Sequence, residues 1–426
     1  MIPALSSRTR ISALLFCHYF AVGSWFVSLG VYMSKSLGFD AIIGTAYGMF
    51  GIGTMAATLF VGAVADRYFA AQRLLGILLL CGGAALLLLA TIRESQPLFL
   101  GVLLLHCLLT SAAIPLGVSI AFTHLPDPPQ QFPAVRTFGS VGWMVAGLVV
   151  GLWPGAAQTA LPLQMAGVVY MFTGLYAFML PHTPPKAQAH KLDLMALLGL
   201  DIMRRQRDRV MWVFIIALVF VGIPKKFYDS LLNTFLVEKG VALQAFGVTL
   251  ESTGVLTLGQ IIEALTLLAL PFVAARIGIK WVMVMGMAAW VLRFLLFAFG
   301  FDGDHAIVWM VLLGIFMHGL SYDFFFISGQ IWFDRQFAAS MRSRAQSFYW
   351  FLLNGVGVAI GANIAGAVFQ AWTLGPGQRD WASIWLVPSA ITAVAMVLFV
   401  LTFNERRTNQ TAGEHESPRE TRSASS

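Results

Sequence analysis

Ten residues with hydrogen-bonding, ionisable or stacking side chains lie inside long apolar stretches of this sequence. They are Arg136, Ser140, Trp143, Lys226, Asp229, Gln260, Glu263, His318, Tyr322 and Asp323. Guanidinium, hydroxyl, amide and imidazole groups can hold a polar ring compound by hydrogen bonds, and aromatic rings can stack on it. Carboxyl groups that are poorly hydrated can also take up and release a proton. These residue types suit recognition of a polar organic solute coupled to proton transfer.

Arg136, Ser140 and Trp143 are separated by four and then three residues. This spacing places them on one face of a helix, where together they could bind a polar ring by hydrogen bonding and stacking. An arginine near a helix start can instead extend its side chain to the polar end of the helix. Both interpretations of Arg136 are compatible with the spacing.

Lys226 and Asp229 follow Pro224, which can break a helix and free backbone groups. Residues three apart on a helix can pair, so the two charges either bind solute or stabilise each other. A nearby lysine favours an ionised aspartate. Glu263 and Asp323 are therefore the better proton carriers, unless each only hydrogen-bonds to a neighbouring helix.

The composition shows which elements hold these residues. Of the 426 residues, 58% are apolar and 11% are charged, against roughly a quarter charged in soluble domains. We predict an all-α integral membrane protein, with helices long enough to cross a hydrocarbon layer roughly 30 Å thick. Twelve apolar windows lie at about 11–35, 41–65, 74–92, 98–123, 136–155, 158–180, 210–236, 246–275, 281–300, 306–333, 344–372 and 384–403.

The basic residues indicate the orientation. Nineteen of the 27 fall on one side if both termini are cytoplasmic, as the positive-inside rule requires. The opposite side then holds Lys35, Arg93, Lys239 and Arg379. The remaining four, which include Lys225, lie in or beside helices, and we expect Arg293 to anchor span nine at the membrane interface.

The polar stretch 181–209 divides the windows into six and six. Parallel-repeat transporters have this plan, with the substrate between the halves. We therefore predict a first six-helix bundle at 1–185, a basic cytoplasmic linker at 186–209 and a second bundle at 210–403. The polar tail 404–426 is predicted to be disordered.

Gly62, Asp66 and Arg67 resemble the cytoplasmic loop motif of the major facilitator superfamily, in which glycine allows close helix contact and charges clamp helix ends. The sequence contains no nucleotide-binding, metal-ligand or nucleophile–base motif. We expect a transporter and not an enzyme, without cofactor, metal or nucleic-acid partner.

Longer strings resemble one family, the nucleoside:proton symporters of that superfamily. They are Gly23-Ser24-Trp25, Gly62 to Asp66, Phe132-Pro133 with Arg136 and Gly139, Asn233-Thr234-Phe235, Gln260 with Glu263, Ala289 to Phe294, His318-Gly319, Asp323-Phe324-Phe325 and Ile327-Ser328-Gly329.

The resemblance implies nucleoside uptake driven by the proton gradient through alternating access, with the ten residues of the opening paragraph forming the pocket. Asp323 and Glu263 would carry the proton. Well-known bacterial members have amides at the two span-seven positions and a tyrosine at the span-ten position, where this chain has Lys226, Asp229 and His318. The substrate could therefore be a more polar nucleoside analogue or another glycoside.

The sequence thus predicts a monomeric, multi-pass importer of the bacterial inner membrane, with a nucleoside, protons and the lipid bilayer as partners. Two alternatives stay open. One is a major facilitator carrier for another solute, such as a sugar. The other is a membrane sensor built on a transporter scaffold, for which the sequence shows no soluble output domain.

Overall fold

Each of the twelve predicted windows contains a helix in the computed structural model, which describes residues 6–60, 68–185, 208–245, 247–338, 341–375 and 378–404. Within these residues nine helices are long and apolar enough to cross a membrane. Val308–Phe316 and His318–Arg335 form a tenth span bent by 42°. Ile43–Phe60, where a described range ends, and the shorter Leu161–Ala177 occupy the other two windows. The prediction of a helical membrane protein is confirmed, and a count of twelve fits.

The first half contains spans one to six. Their bounds are Ser7–Phe26 with Leu29–Tyr32 and the π-helical turn Met33–Leu37; Ile43–Phe60 after the 3₁₀ turn Asp40–Ile42; Ala71–Leu89; Gln96–Thr110 with Ala113–His124; Pro128–Leu152; and Leu161–Ala177 after the 3₁₀ turn Ala156–Gln158. Side-chain caps fix three of the starts, because Ser6, Ser95 and Asp127 each accept a backbone N–H of the first turn.

The second half contains spans seven to twelve. Their bounds are Arg209–Glu238; Ser252–Ile277; Ile279–Ala298; Val308–Phe316 with His318–Tyr322, the π-helical turn Asp323–Ile327 and Ser328–Arg335; Arg342–Trp350 with the π-helical turn Phe351–Val356 and Gly357–Ala371; and Trp381–Thr402. Pro224 lies inside a continuous helix. The fully buried neighbours Val221 and Phe227 hold that helix together despite the missing N–H.

Three short antiparallel hairpins, absent from the sequence-based prediction, follow spans seven, nine and eleven. They pair β1 with β2, β3 with β4 and β5 with β6, at Leu243–Ala245 with Val248–Leu250, Phe301–Asp302 with His305–Ala306, and Thr373–Gly375 with Gln378–Arg379. Each follows an odd number of crossings, so all three lie on the side opposite Ser7. We call this side the hairpin face.

The surface is apolar where a soluble protein would be polar. Leu268 and Phe272 of span eight and Leu401 of span twelve are each at least 70% exposed. The interior of the second half is aromatic, with Trp290, Trp381 and Trp385 among its largest fully buried side chains. Such an exposed apolar surface is stable only against lipid.

The two halves approach each other most closely through glycines. A Cβ atom on Gly44 of span two would lie 2.7 Å from the Cα of Gly366 in span eleven, and one on Gly151 of span five would lie 2.4 Å from the Cα of Gly254 in span eight. Small residues let membrane helices pack this closely. All four glycines lie toward the hairpin face, so the halves are closely joined there.

Candidate functional site

Span seven carries a buried group of three charges, Lys225, Lys226 and Asp229, which we call the span-seven cluster. Both lysine Nζ atoms donate to Asp229 Oδ2, at 2.7 Å from Lys225 and 3.1 Å from Lys226. The pairing of Lys226 with Asp229 that the spacing predicts is present, and Lys225 adds a second partner. Because one carboxylate meets two ammonium groups, the cluster keeps a net positive charge inside the protein.

Lys226 joins this cluster to the first half of the molecule. Its side chain is 1% exposed, and its Nζ atom lies 4.8 Å from the ring centroid of Phe26 in span one and 5.6 Å from that of Tyr47 in span two. Phe26 also packs against Trp143 of span five, at 6.1 Å between ring centroids. The predicted residues Lys226 and Trp143 therefore contact the same ring from opposite halves.

His318 is the centre of a second group, formed by spans seven to ten. Its ring stacks against Tyr228, at 5.1 Å, and against Tyr322, at 5.9 Å between centroids. Its Nε2 atom lies 3.2 Å from Glu263 Oε2. Lys225 Nζ lies 5.8 Å from the Tyr322 ring and so connects this group to the span-seven cluster. The structure brings Glu263, His318 and Tyr322 together as the sequence suggests.

Arg293 is fully buried, and the expectation that it anchors at the interface is wrong. Its Nη1 atom donates to Ser321 Oγ at 2.9 Å and lies 3.4 Å from His318 Nδ1. The guanidinium also lies 3.9 Å from the Tyr228 ring centroid and 4.8 Å from that of Trp290. Aromatic faces and a hydroxyl group stabilise the cation, while its Nε and Nη2 atoms are buried without a hydrogen-bond partner among the described residues.

Asp323 and Gln260 present buried oxygen atoms without hydrogen-bond partners among the described residues. Asp323 is 1% exposed, begins a π-helical turn and leaves its Oδ2 atom unpaired. Gln260 leaves Oε1 unpaired. An unpaired buried acceptor is costly. Both atoms can therefore accept a hydrogen bond, and the Asp323 carboxyl group can also accept a proton.

The side chains of Arg136 and Ser140 in span five lie in different environments. The Arg136 guanidinium lies 4.3 Å from the ring centroid of Tyr19 in span one, and Ser140 is exposed. Because the Arg136 side chain stacks on a residue of span one, it lies against the helix bundle. The loop residues Gly62, Asp66 and Arg67, most of the linker and the tail after 404 lie outside the described residues.

Sequence reasoning missed several contacts of this site. The pairing of Lys225 with Asp229 could have been found, because residues four apart on a helix are neighbours. The contacts of Phe26, Tyr19 and Tyr228 could not have been found, because the sequence does not show which aromatic residues of an apolar helix contact a site.

A second set of charges closes the hairpin face, and we call it the hairpin-face cluster. Arg379 donates to Glu238 of its own half and, at 2.6 Å, to Asp40 of the other half. Lys35 lies 2.9 Å from Glu238, and Trp381 Nε1 donates to the same carboxylate at 2.8 Å. The Arg379 side chain is 2% exposed. These pairs connect the two halves across the hairpin face.

Two helical halves, polar groups buried between and beside them, and cross-half ion pairs at one face define a secondary transporter of the major facilitator type. A sequence model of the nucleoside H⁺ symporter family matches residues 5–408, and this chain belongs to that family.

Relatives and solved structures agree with this assignment. The Escherichia coli (strain K12) protein YegT is 31% identical over 420 residues, covering 96% of each chain. Xanthosine permease of the same strain is 30% identical over 408 residues, covering 94% of this chain and 96% of that one. A crystal structure of a variant of the nucleoside transporter NupG superposes with a TM-score of 0.85 at 28% identity, covering 94% of this chain and all of the other. The predicted family and fold class are confirmed.

Proposed function

We propose that this protein imports nucleosides with protons across a bacterial inner membrane by alternating access. The observation that carries the proposal is the continuous set of contacts from Glu263 through His318, Tyr322 and Lys225 to Asp229. This set begins in span eight, and Asp229 at its end also pairs with Lys226, which faces the first half. Family membership supports nucleosides as the solute class.

The site residues have distinct proposed roles. Arg136, Gln260 and Glu263 bind the ribose hydroxyl groups, since they offer donors and acceptors on both sides of the boundary between halves. The base stacks on Trp143 or Tyr322, and Ser140, Lys226 and Asp229 bind its polar edge, while His318 lines the site and holds Glu263 in place. The buried oxygens of Gln260 and Asp323 support this assignment because they lack protein partners among the described residues.

Asp323, together with Glu263, carries the proton in this proposal. A buried carboxyl group without a cationic partner is more stable when protonated, whereas Asp229 is held ionised by two lysines. Asp229 and Asp323 therefore have different proposed roles. Asp229 balances charge, and Asp323 loads and unloads a proton as access alternates.

The basic-residue distribution supports cytoplasmic termini, so the hairpin face would be periplasmic. The same proposal includes a single chain as the transport unit and domain boundaries at 1–185, 186–209, 210–403 and 404–426. With the halves joined at the hairpin face, the site would open toward the cytoplasm.

Uptake into proteoliposomes tests the function. We expect labelled uridine, adenosine or xanthosine to accumulate when an inward proton gradient is imposed, and accumulation to stop when a protonophore collapses it. Gradient-driven uptake of a glycoside without uptake of any nucleoside would establish the alternative carrier, which the charges of Lys226 and Asp229 favour. Binding of a solute without transport of any solute would show that the protein is a membrane sensor.

A further inference from the structure

The imidazole of His318 lies between a cation and a carboxylate, one at each ring nitrogen. Arg293 Nη1 lies 3.4 Å from Nδ1, and Glu263 Oε2 lies 3.2 Å from Nε2. A guanidinium only donates hydrogen bonds, so the contact with Arg293 requires an unprotonated Nδ1. A neutral imidazole then carries its single proton on Nε2, facing Glu263.

We propose that Arg293 is a positioning residue of the transport site, which selects the His318 tautomer with the proton on Nε2 and so makes His318 a donor to Glu263. The effect on transport rests on the proposed function, whereas the tautomer itself does not. With one carboxyl oxygen of Glu263 engaged by His318, the other is directed to the solute or the transported proton.

The surroundings leave Arg293 and His318 little freedom. Arg293 has no exposed surface and is held by Ser321 at 2.9 Å and by the Tyr228 ring at 3.9 Å. The rings of Tyr228 and Tyr322 both stack against His318, so reorientation of the imidazole must disrupt both contacts. The charged and titratable groups around His318 are Glu263, Arg293, Tyr228 and Tyr322, with Lys225 beyond Tyr322.

The tautomer can be measured by nitrogen NMR on the full-length protein in lipid bilayers, with ¹⁵N-labelled histidine rings. The chain has eight histidines, so the His318 signals are assigned by their loss in His318→Gln. We expect an unprotonated Nδ1 and a protonated Nε2 in the wild type. A protonated Nδ1 would overturn the proposal, and this measurement needs no variant of Arg293.

Arg293→Met keeps an unbranched side chain about as long as the aliphatic part of arginine and removes its donors. We expect the tautomer with the proton on Nδ1 to become detectable beside the other, because only the contact of Nε2 with Glu263 then favours the proton on Nε2. The control is Arg93→Met, which removes an exposed arginine between spans three and four in the other half and should leave the His318 signals unchanged. An unchanged pattern in Arg293→Met, or the same change in both variants, would contradict a specific role for Arg293.

Nucleoside affinity supplies the functional test through a double-mutant cycle. Arg293→Met should weaken binding about tenfold when His318 is present, the size of one lost hydrogen bond to a charged group. In the His318→Gln background the same change should have less than about a twofold effect. Equal losses in both backgrounds would show that Arg293 does not act through His318. If the wild type binds no nucleoside, the proposed function fails while the NMR result stands.

Discussion

At the scale of single residues, the carboxyl groups of the site differ in their partners, and this difference predicts their roles. Asp323 is buried with an unpaired oxygen. Asp323→Asn should therefore abolish gradient-driven accumulation while leaving nucleoside exchange at equal concentrations, because an amide keeps the shape but cannot release a proton. Uptake and exchange in proteoliposomes measure the two activities.

The matched control for Asp323→Asn is Asp304→Asn, the same change in the fully exposed turn between β3 and β4. This control should behave as the wild type. Undiminished accumulation by Asp323→Asn would remove Asp323 from the coupling role.

The span-seven cluster makes a separate prediction about stability. Lys226→Gln leaves Asp229 paired with Lys225 at 2.7 Å, whereas Asp229→Asn leaves two lysines without their carboxylate. Removing one partner of a buried pair costs about 3–5 kcal/mol. We expect Asp229→Asn to lower the melting temperature in detergent clearly more than Lys226→Gln. A larger loss for Lys226→Gln would show that its contact with Phe26 stabilises the protein more than the ion pairs do.

Arg293 shows where sequence reasoning fails at this scale. Its position along span nine gives its depth in the membrane but not its neighbours. The rings of Tyr228 and Trp290 that stabilise its charge lie on two different spans, and Ser321 comes from a third. Trp290 is three residues before Arg293 on the same helix, but only the three-dimensional packing brings Tyr228 and Ser321 to it.

At the scale of elements, hydrophobic length was sufficient to locate every span in the described part of the chain, because a span needs about 20 apolar residues. Irregularities within spans were not predictable. The helix continues through Pro224, whereas spans ten and eleven contain π-helical turns without any proline to mark them. The hairpin strands are two or three residues long, too short for an alternating pattern to appear.

The contact between spans five and eight depends on two glycines. Gly151→Val would bring a branched side chain within 2.4 Å of the Gly254 Cα atom, so spans five and eight must separate. We expect the variant to lose most of its transport and to melt at a lower temperature. Gly101→Val is the matched control, because a Cβ at Gly101 meets nothing within 4 Å. Equal behaviour of the two variants would show that the close approach is not needed.

At the scale of the whole molecule, the sequence predicts two halves with a site between them but not which face is closed. Both states of an alternating-access carrier share one sequence and differ only in contacts between the halves. The sequence predicts that Lys35 and Arg379 lie on the same side, and both are found at the hairpin face. Nothing in the sequence, however, indicates that Arg379 pairs with Asp40.

The hairpin-face cluster predicts how the closed state can be destabilised. Arg379→Met removes the contacts of one guanidinium with Glu238 and Asp40, so the equilibrium should shift toward opening at that face. A cysteine introduced as Ser140→Cys reports this shift through labelling by a membrane-impermeant maleimide added outside whole cells. We expect labelling to be about tenfold or more faster, since removing one partner of a buried ion pair costs about 3–5 kcal/mol. Arg93→Met, at an exposed arginine predicted to lie on the same side, should leave the rate unchanged. Unchanged labelling in Arg379→Met would mean that the glycine contacts, and not the ion pairs, keep the halves together.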